Sequence, residues 1–351
     1  MAVIVLGAGA TRGCSFVDPR KHSCLPPLDA DFFTQLQRIA NPKHRDLVSD
    51  VTKDVVELFG QNFNAMMEGV FATLEHTIKM LDTTGRGTRA FNSRDLREKR
   101  DRLVQAIAAS LEDSLTWTDG ESSQQQSHDC EHHAALVGRC LERDDSIISF
   151  NYDCIIDFAL KRHGDDKWNA HYGYGLNLGS RGSAIEGDGF WQPTKQAPQS
   201  KTIHVYKLHG SLHFDLVERA NRQSKMKLKQ RPYTRQKGEF MRFTILPPES
   251  QKAYDRGVFR GLWQGAAEAL RKTQHVVLIG YSLPVTDMHA TALFRTSVSK
   301  KLKSLVVVNP DRQARRRCRD VFQRVLDPST RVLSFDYLSE FVAADPSTWR
   351  T

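Results

Sequence analysis

Short apolar runs and longer amphipathic segments alternate along the chain, most regularly in its second half. Runs rich in Val, Ile and Leu predict buried strands, and segments with apolar residues every three or four positions predict helices. Strands that alternate with helices indicate an α/β fold, here a Rossmann-like parallel sheet with helices on both faces. Strands are predicted at Ala2–Leu6, Ser146–Phe150, Ile203–Lys207, Met241–Leu246, Val276–Ile279, Leu305–Val308 and Arg331–Phe335, and helices at Cys154–Arg162, Asp255–Arg271, Asp287–Ser299 and Arg312–Leu326.

A long stretch between the first two predicted strands has a helical pattern. Apolar residues recur on common helix faces throughout residues 44–112. Because the first strand joins the sheet across this stretch, the core is predicted to be discontinuous. The predicted domains are an α/β core of residues 1–40 and 145–351 and a mostly helical insertion of residues 41–144.

Composition agrees with a globular chain that has a sizeable core. Of 351 residues, 40% are hydrophobic and 26% are charged, which excludes a disordered or collagen-like protein. No apolar run approaches the roughly 20 residues that a membrane-spanning helix needs, and the short apolar N-terminus lacks the basic flank of a signal peptide. Six widely spaced cysteines argue against a disulfide scaffold and predict a cytoplasmic protein.

The charge balance admits a polyanionic partner without identifying one. The formal net charge is +9, and its densest basic run is Arg312–Arg319. Two interpretations stay open: a solvated helix face, which is the commoner case, or an indirect role in nucleic-acid contact.

The first candidate motif is a glycine turn directly after the first predicted strand. Glycines at such a turn let the backbone approach a pyrophosphate, whose charge main-chain N–H groups meet. The match to the dinucleotide-binding pattern is imperfect, so a purely structural turn is the alternative. The residues of the turn are Gly7, Ala8, Gly9, Ala10 and Thr11.

A second motif, Asn151 and Asp153, follows the strand that ends at Phe150. Open α/β sheets place their ligands at the carboxyl ends of strands, where an amide and a carboxylate can orient a sugar hydroxyl or a water. The alternative is that both residues only turn the chain and cap the next helix.

A third motif is His209 followed by Gly210, again at the end of a predicted strand. The pattern predicts a histidine on exposed, tightly turning backbone, where its pKa suits general-base work near neutral pH. A structural histidine is the alternative, and His213 is a second candidate for the base.

Two later strands also end in polar turns. One runs into Gly280, Tyr281 and Ser282, and the other into Asn309 and Asp311. Each is an ordinary loop by itself, but five polar strand ends in one sheet indicate a ligand site along that edge.

Taken together and in this order, these motifs resemble the sirtuin-like family. The Ser-Phe-Asn-Tyr-Asp and Leu-His-Gly-Ser segments and the Pro-Pro-Leu-Asp-x-Asp-Phe-Phe segment at residues 26–33 are most similar to a bacterial branch found in antiphage defence systems. The resemblance implies an enzyme that hydrolyses NAD+ to nicotinamide and ADP-ribose, a glycohydrolase that depletes the infected cell of NAD+.

The same resemblance implies a role for each candidate residue. Asn151 would position water or ribose hydroxyls, His209 would be the general base, and Asp153 would support the ribose or the loop of Asn151. The glycine turn would hold the pyrophosphate. Gly280, Ser282, Asn309 and Asp311 would hold the adenosine end of NAD+, and Asp29 and Phe33, at the start of a predicted helix at residues 30–39, would belong to a lid over nicotinamide.

The sequence departs from the family in its metal-binding residues. Deacylating sirtuins carry a structural zinc on two Cys-x-x-Cys pairs, and this sequence contains no such pair. Cys130, His132, His133 and Cys140 are irregularly spaced for a zinc site, so no metal is predicted. Without the zinc module the usual platform for an acyl-lysine peptide is missing, which favours water as the acceptor.

Three rival functions stay open at this level. They are an NAD-dependent deacylase that uses the same His209, a non-catalytic NAD or ADP-ribose sensor, and a nucleic-acid-binding protein. The insertion also has apolar helix faces around Met66, Met67, Val70 and Phe71, which predict a homo-oligomer built in part through them, with a monomer whose insertion only covers the site as the alternative. The resemblance further implies regulation by a separate protein such as a HerA-type ATPase or an Argonaute-like protein. No membrane partner is predicted.

Overall fold

The structure is a computed structural model that describes residues 1–61, 63–64, 66–85, 87, 91–118, 125–176, 185–218, 224–230, 232, 244–245 and 257–350. Contacts divide the chain into two compact units. The first unit comprises Met1–Val17, Asp129–Pro232 and Lys252–Thr351, and the second comprises Asp18–His128 and Tyr233–Gln251.

Strands and helices alternate regularly from residue 244 to residue 343, and less regularly before that. The strands are β1 (Ala2–Leu6), β2 (Thr116–Thr118), β3 (Gln125–Ser127), β4 (Ser146–Ser149), β5 (Ile185–Glu186), β6 (His204–Lys207), β7 (Gly210–Ser211), β8 (Phe214–Glu218), β9 (Ser224–Leu228), β10 (Thr244–Ile245), β11 (His275–Ile279), β12 (Ser304–Val308) and β13 (Arg331–Phe335). The helices are α1 (Ala8–Arg12), α2 (Phe32–Leu36), α3 (Arg45–Phe59), α4 (Met67–Thr84), α5 (Ser93–Leu115), α6 (Glu131–Ala135), α7 (Ile155–His163), α8 (Ala170–Gly173), α9 (Gly257–Lys272), α10 (Met288–Ser297), α11 (Arg312–Val321), α12 (Leu338–Ala343) and α13 (Ser347–Arg350).

A six-stranded parallel sheet forms the centre of the first unit. Its strand order is β13-β12-β11-β1-β4-β6, and each neighbouring pair is parallel. Strands β1, β4, β11 and β12 are buried along their whole length, as apolar β-branched strands covered on both faces should be. The predicted α/β, Rossmann-like fold is confirmed.

The predicted elements and the observed ones differ mainly at their ends. Seven strands were predicted, and six of them form this sheet with boundaries within a residue or so. Of the seventh, Met241–Leu246, only Thr244 and Ile245 lie within the described residues, and they form a short strand. The helix predicted at Arg312–Leu326 ends at Val321, and a single 3₁₀ turn follows it.

Three helices make up most of the second unit. Helices α3 and α4 each pack against α5, and the contacts bury Val51, Val70, Phe71 and Leu103. A buried Lys99 ammonium on α5 is paired with Asp54 of α3 at 3.1 Å. None of the helices in the described part of the chain is both long and apolar enough to cross a membrane.

The two units do not divide the chain where the sequence pattern suggested. Residues 18–40 were predicted to belong to the core, but α2 packs on α5 inside the second unit. Residues 129–144 were predicted to belong to the insertion, but α6 packs on α7 and α12 inside the first unit. Helical periodicity identifies a helix without identifying which unit buries its apolar face.

Candidate functional site

The strand order places a crevice at the carboxyl ends of β1 and β11. From β1 the sheet continues through β4 and β6 on one side, and the chain then crosses to β11 on the other side. Ligands of open α/β sheets bind at such a point, where the strand order reverses. The glycine turn after β1 and the Gly280 turn after β11 therefore meet at the position where this fold binds nucleotides.

The two glycine turns pack directly against each other. The main-chain N–H of Gly9 donates to the carbonyl of Gly280 at 2.8 Å, and that of Gly7 donates to Ile279 at 3.0 Å. A Cβ at Gly9 would lie 2.8 Å from the Gly280 Cα, and one at Gly280 would lie 2.0 Å from the Ala10 nitrogen. These glycines are needed for contact between the turns. Their bare Cα atoms face protein, whereas the sequence pattern predicted that they face a pyrophosphate.

The Asn151 side chain ties the end of β4 to the glycine turn. Its Nδ2 donates to the Gly7 carbonyl at 2.9 Å and to Thr11 Oγ1 at 3.0 Å. Asn151 Oδ1 is buried and has no hydrogen-bond partner among the described residues. A buried acceptor of this kind is satisfied by a donor that the protein itself does not supply, such as a water or a ligand hydroxyl.

Asp153 supports this arrangement from the other side. Its Oδ2 accepts a hydrogen bond from Thr11 Oγ1 at 2.6 Å, and its Oδ1 accepts one from the Ile155 N–H at 2.9 Å, at the start of α7. Cys154 is the N-cap residue of α7, and Asp153, one position earlier, satisfies the first N–H of the helix and also holds Thr11. Asn151 does not cap the helix, because its Oδ1 accepts no hydrogen bond from the described residues, and its Nδ2 donates to the glycine turn and α1.

His209 lies beside Asn151 at the edge of the sheet. Ser149 of β4 pairs with Lys207 of β6, so Asn151 and His209 each stand two residues beyond that pair. The rings of Phe150 and Tyr152, on either side of Asn151, lie 5.1 and 6.3 Å from the His209 ring. The turn after His209 has the predicted tight geometry, with a Gly210 φ of +82°.

The environment of His209 differs from the predicted exposed one. The residue is buried, with an exposed fraction of 5%, because aromatic rings cover it. Burial lowers the pKa of His209 below its usual value of 6.5, while the nearby Asp287 carboxylate raises it and His289 lowers it. A neutral imidazole near pH 7 is the state that can accept a proton.

His213, the second candidate for the base, is buried, and its ring is hydrogen-bonded to other side chains of the protein interior. Its Nδ1 is 2.8 Å from Ser211 Oγ and its Nε2 is 3.1 Å from the Tyr174 hydroxyl, so both ring nitrogens have partners. Burial lowers its pKa to about 3. With no nitrogen left for a substrate, His213 is a structural residue.

A fully buried ion pair below the site was not anticipated from the sequence. Lys207 Nζ is 3.0 Å from Asp157 Oδ2 and also donates to the Asp153 carbonyl, so it fixes the loop that carries Asn151. Although burial acts in the opposite direction, the Lys207 ammonium lowers the pKa of Asp157 below its usual range. The sequence does indicate such an ion pair, because Lys207 lies in a predicted buried strand and a buried charge needs a partner of opposite charge.

The residues predicted for the adenosine end lie along the other half of the sheet edge. Asn309 Nδ2 donates to the Tyr281 carbonyl at 3.4 Å, and Asn309 Oδ1 accepts from the Asp311 N–H at 2.9 Å. The Asp311 carboxylate caps α11 through the Gln313 N–H at 2.8 Å. Ser282 is exposed. Their predicted contacts with NAD+ stay predictions.

The two residues predicted for a lid belong to the second unit. Asp29 Oδ1 accepts a hydrogen bond from the Glu68 N–H at 2.8 Å, so it caps α4 and not the helix that directly follows it. The half-buried Phe33 ring packs edge-on against Phe32 and Phe63. Their role as a lid stays a prediction.

Two groups of side chains in the described residues have metal-ligand chemistry. One consists of Cys154, Asp157 and His213. The Lys207 ammonium on Asp157 already provides the positive charge there, which disfavours a cation. The other consists of Cys14, Cys130 and His133. Cys130 and His133 were among the four residues compared with a zinc site in the sequence, but Cys14 was not.

The fold and the site define a class of protein. A doubly wound parallel sheet whose polar side chains meet at the strand-order reversal is a nucleotide-binding α/β protein. The family model described as a SIR2-like domain matches residues 145–324, just over half of the chain. The chain belongs to this SIR2-like family, and its function is sirtuin-like and NAD-related. No curated protein matches it.

The matched region contains most of the candidate site. Asn151, Asp153 and His209 lie inside it, as do the turns after β11 and β12, whereas the glycine turn after β1 lies outside. The structure joins that turn to the matched region through the hydrogen bonds of Asn151. SIR2-like domains use NAD+, which supports NAD+ as the substrate and an NAD-dependent enzymatic activity.

Proposed function

We propose that this protein is an NAD+ glycohydrolase, which cleaves NAD+ to nicotinamide and ADP-ribose. The observation that carries the proposal is the position of Asn151. Its amide spans the glycine turn and Thr11, its buried Oδ1 is left for a ligand or water, and His209 lies next to it across the β4–β6 pair.

The proposed reaction breaks the bond between the nicotinamide nitrogen and ribose C1′. The bonding electrons leave with nicotinamide, whose positive charge is neutralised, and the ribose develops oxocarbenium character. A water oxygen then bonds to C1′ and gives up one proton. The main requirement on the protein is to orient water and ribose against this developing charge, because the leaving group needs no acid.

The side chains divide this work in a way that their contacts support. Asn151 Oδ1 accepts a hydrogen bond from the water or a ribose hydroxyl and thereby orients it. His209, kept neutral by burial, accepts the proton. Asp153 acts through Thr11 and the loop, so in this scheme it is a positioning residue.

Water is the proposed acceptor because the sequence lacks the zinc module on which deacylating relatives form their peptide platform. A deacylase using the same His209 would release nicotinamide only in the presence of an acyl-lysine peptide. A sensor would bind NAD+ and release none.

The test is to incubate the purified chain with NAD+ and to measure free nicotinamide with and without an acyl-lysine peptide. We expect release without peptide, at least a 100-fold loss in Asn151→Ala and His209→Ala, and no loss in His171→Ala, whose exposed ring pairs with Asp188. Binding of NAD+ measured by calorimetry separates a sensor from a protein that does not bind it. Release that depends on peptide would contradict the hydrolase.

We further propose that the reaction depletes NAD+ during antiphage defence and that a separately encoded protein controls it, such as a HerA-type ATPase or an Argonaute-like protein. This part rests on the similarity of the Ser-Phe-Asn-Tyr-Asp and Leu-His-Gly-Ser segments to the defence branch of the family. Expression of wild type and His209→Ala during phage infection tests it. We expect cellular NAD+ to fall only with the wild type.

A further inference from the structure

Three buried side chains from two distant parts of the sequence bring soft metal-ligand atoms together. Cys14 Sγ lies 3.8 Å from His133 Nδ1, and Cys130 Sγ lies 3.1 Å from the same nitrogen. All three ligand atoms lie within 4.8 Å of one another. We infer that Cys14, Cys130 and His133 form a binding site for Zn²⁺.

The distances match what tetrahedral zinc requires. With ordinary zinc bond lengths, a thiolate sulfur and an imidazole nitrogen on one ion stand about 3.6 Å apart, and two thiolate sulfurs about 3.8 Å apart. The two observed sulfur–nitrogen distances lie on either side of that value. Bringing both to that value takes movements of about 0.5 Å or less, and the two sulfurs lie within 4.8 Å of each other.

The local backbone presents the ligands in the right direction. Cys130 precedes α6 and His133 stands one turn further, so the two side chains share one side of that turn. Cys14 follows α1, and its N–H donates to the Thr11 carbonyl at 3.2 Å. The ligands are thus held by ordered helix ends, which lowers the entropic cost of assembling them.

The surroundings supply the outer contacts that thiolate ligands need. The Ser15 N–H donates to Cys130 Sγ at 3.5 Å, and the Ser15 hydroxyl is 3.9 Å from the same sulfur. Such donors orient a metal-bound thiolate. Ser15 is exposed, so a solvent water can reach the fourth coordination position.

This site differs from the family's zinc module and from the set considered in the sequence. It has two cysteines and one histidine and no Cys-x-x-Cys pair. His132 and Cys140 are not members, and Cys14, about 115 residues away in sequence, takes their place. Only the folded sheet brings Cys14 to the start of α6.

A zinc ion here would join the end of α1 to the start of α6. Cys14 lies three residues after Thr11, which contacts both Asn151 and Asp153. The ion would therefore stabilise the segment that supports the candidate site, independently of which reaction takes place there.

The test measures metal on the full-length chain. The protein is incubated with Zn²⁺ and desalted, and its zinc content is measured for the wild type, Cys14→Ser, Cys130→Ser and His133→Ala. Cys140→Ser, another buried thiol, and His132→Ala, the adjacent histidine, are the matched controls. We expect one zinc per chain in the wild type and controls, and loss in the three ligand variants.

A second measurement does not depend on variants that fold. Co²⁺ added to the metal-free wild type should give the near-ultraviolet charge-transfer absorption of cobalt–thiolate bonds, and Zn²⁺ should abolish it and raise the thermal unfolding midpoint. A wild type that retains no zinc, a cobalt spectrum without thiolate bands, or equal zinc in ligand variants and controls would overturn the inference.

Discussion

At the scale of single residues, His209 and His213 show how two buried histidines of the same strand end differ in use. Both have a pKa lowered by burial, but the nitrogens of His213 are bound to Ser211 and Tyr174, whereas His209 lies among the aromatic rings beside Asn151. Their pH dependences should therefore appear in different measurements, one in activity and the other in stability.

For His209 we expect an acid limit of activity below pH 6.5. Because its pKa is lowered from 6.5, the imidazole stays neutral at pH 6.5, and nicotinamide release should decline only at a pH below 6.5. In Asp287→Asn the carboxylate that raises the pKa is gone while the cap of α10 is kept, so the limit should move further down. The measurement is kcat/KM for NAD+ against pH.

The control is Asp188→Asn, which removes a carboxylate from the exposed His171. An acid limit at or above pH 6.5, or one that Asp287→Asn leaves in place, would contradict the role of His209 as base.

For His213 we expect acid sensitivity of folding. Its pKa is about 3 in the folded protein against 6.5 ordinarily, so between these values the unfolded chain binds a proton that the folded one does not. Stability should then fall as the pH falls through and below 6.5, by up to about 1.4 kcal/mol per pH unit from this residue. Urea unfolding of wild type and His213→Gln between about pH 7 and pH 5 checks this. The slope should be shallower in the variant.

At the scale of elements, the contact between the two glycine turns determines how closely β1 and β11 end together. Gly280 has a φ of +60°, and an added Cβ would lie 2.0 Å from the Ala10 nitrogen and 2.3 Å from the Gly9 carbonyl carbon. Main chain surrounds this position, so no side-chain rotation relieves the clash. The packing of the turns therefore depends on bare Cα atoms on both sides.

We expect Gly280→Ala to lower the free energy of unfolding by about 2–4 kcal/mol, from left-handed strain and overpacking together. The matched control is Gly257→Ala in the same unit, which has a φ of +55° and, among the described residues, nothing within 4 Å of an added Cβ. It should show only the strain, about 1 kcal/mol. Chemical denaturation measures both, and equal losses would mean that the turns separate easily.

At the scale of the whole molecule, assembly is the open prediction. Val70 and Phe71, two of the residues assigned to an interface, are fully buried within the second unit, whereas Met66 and Met80 are exposed by 56% and 57%. Exposed methionines suit a protein contact. We expect light scattering to give a mass above 39.8 kDa and Met80→Glu to lower it. A wild-type mass near 39.8 kDa at micromolar concentration would refute self-assembly.

The strands of the central sheet could be predicted from the sequence because each is encoded by a local pattern of apolar residues. β1 and β12 were found, to within one residue, because a short β-branched run marks a buried strand by itself. What it could not predict depends on neighbours: the position of β1 between β4 and β11, or the ion pair of Lys207. These contacts join residues that lie between 50 and 273 positions apart.

The candidate site divides in the same way. Asn151, Asp153 and His209 were chosen as candidates because polar residues that follow a predicted strand can be recognised from the sequence alone. The burial of His209 and the hydrogen bond of Asp153 to Thr11 were not, since each needs an element from elsewhere in the chain. Strand ends can be predicted locally, but the environment that sets a pKa cannot.

The central place of β1 has a consequence for synthesis on the ribosome. This strand leaves the ribosome well before either neighbour, because β4 begins at residue 146 and β11 at residue 275. At ordinary translation rates, on the order of 10–50 s pass between β1 and β11. Until β4 is made, neither edge of this entirely apolar strand can be paired, and one edge stays unpaired until β11 is made, which exposes the strand to aggregation and to chaperones. Slow translation before residue 275 should therefore lower the yield of folded protein.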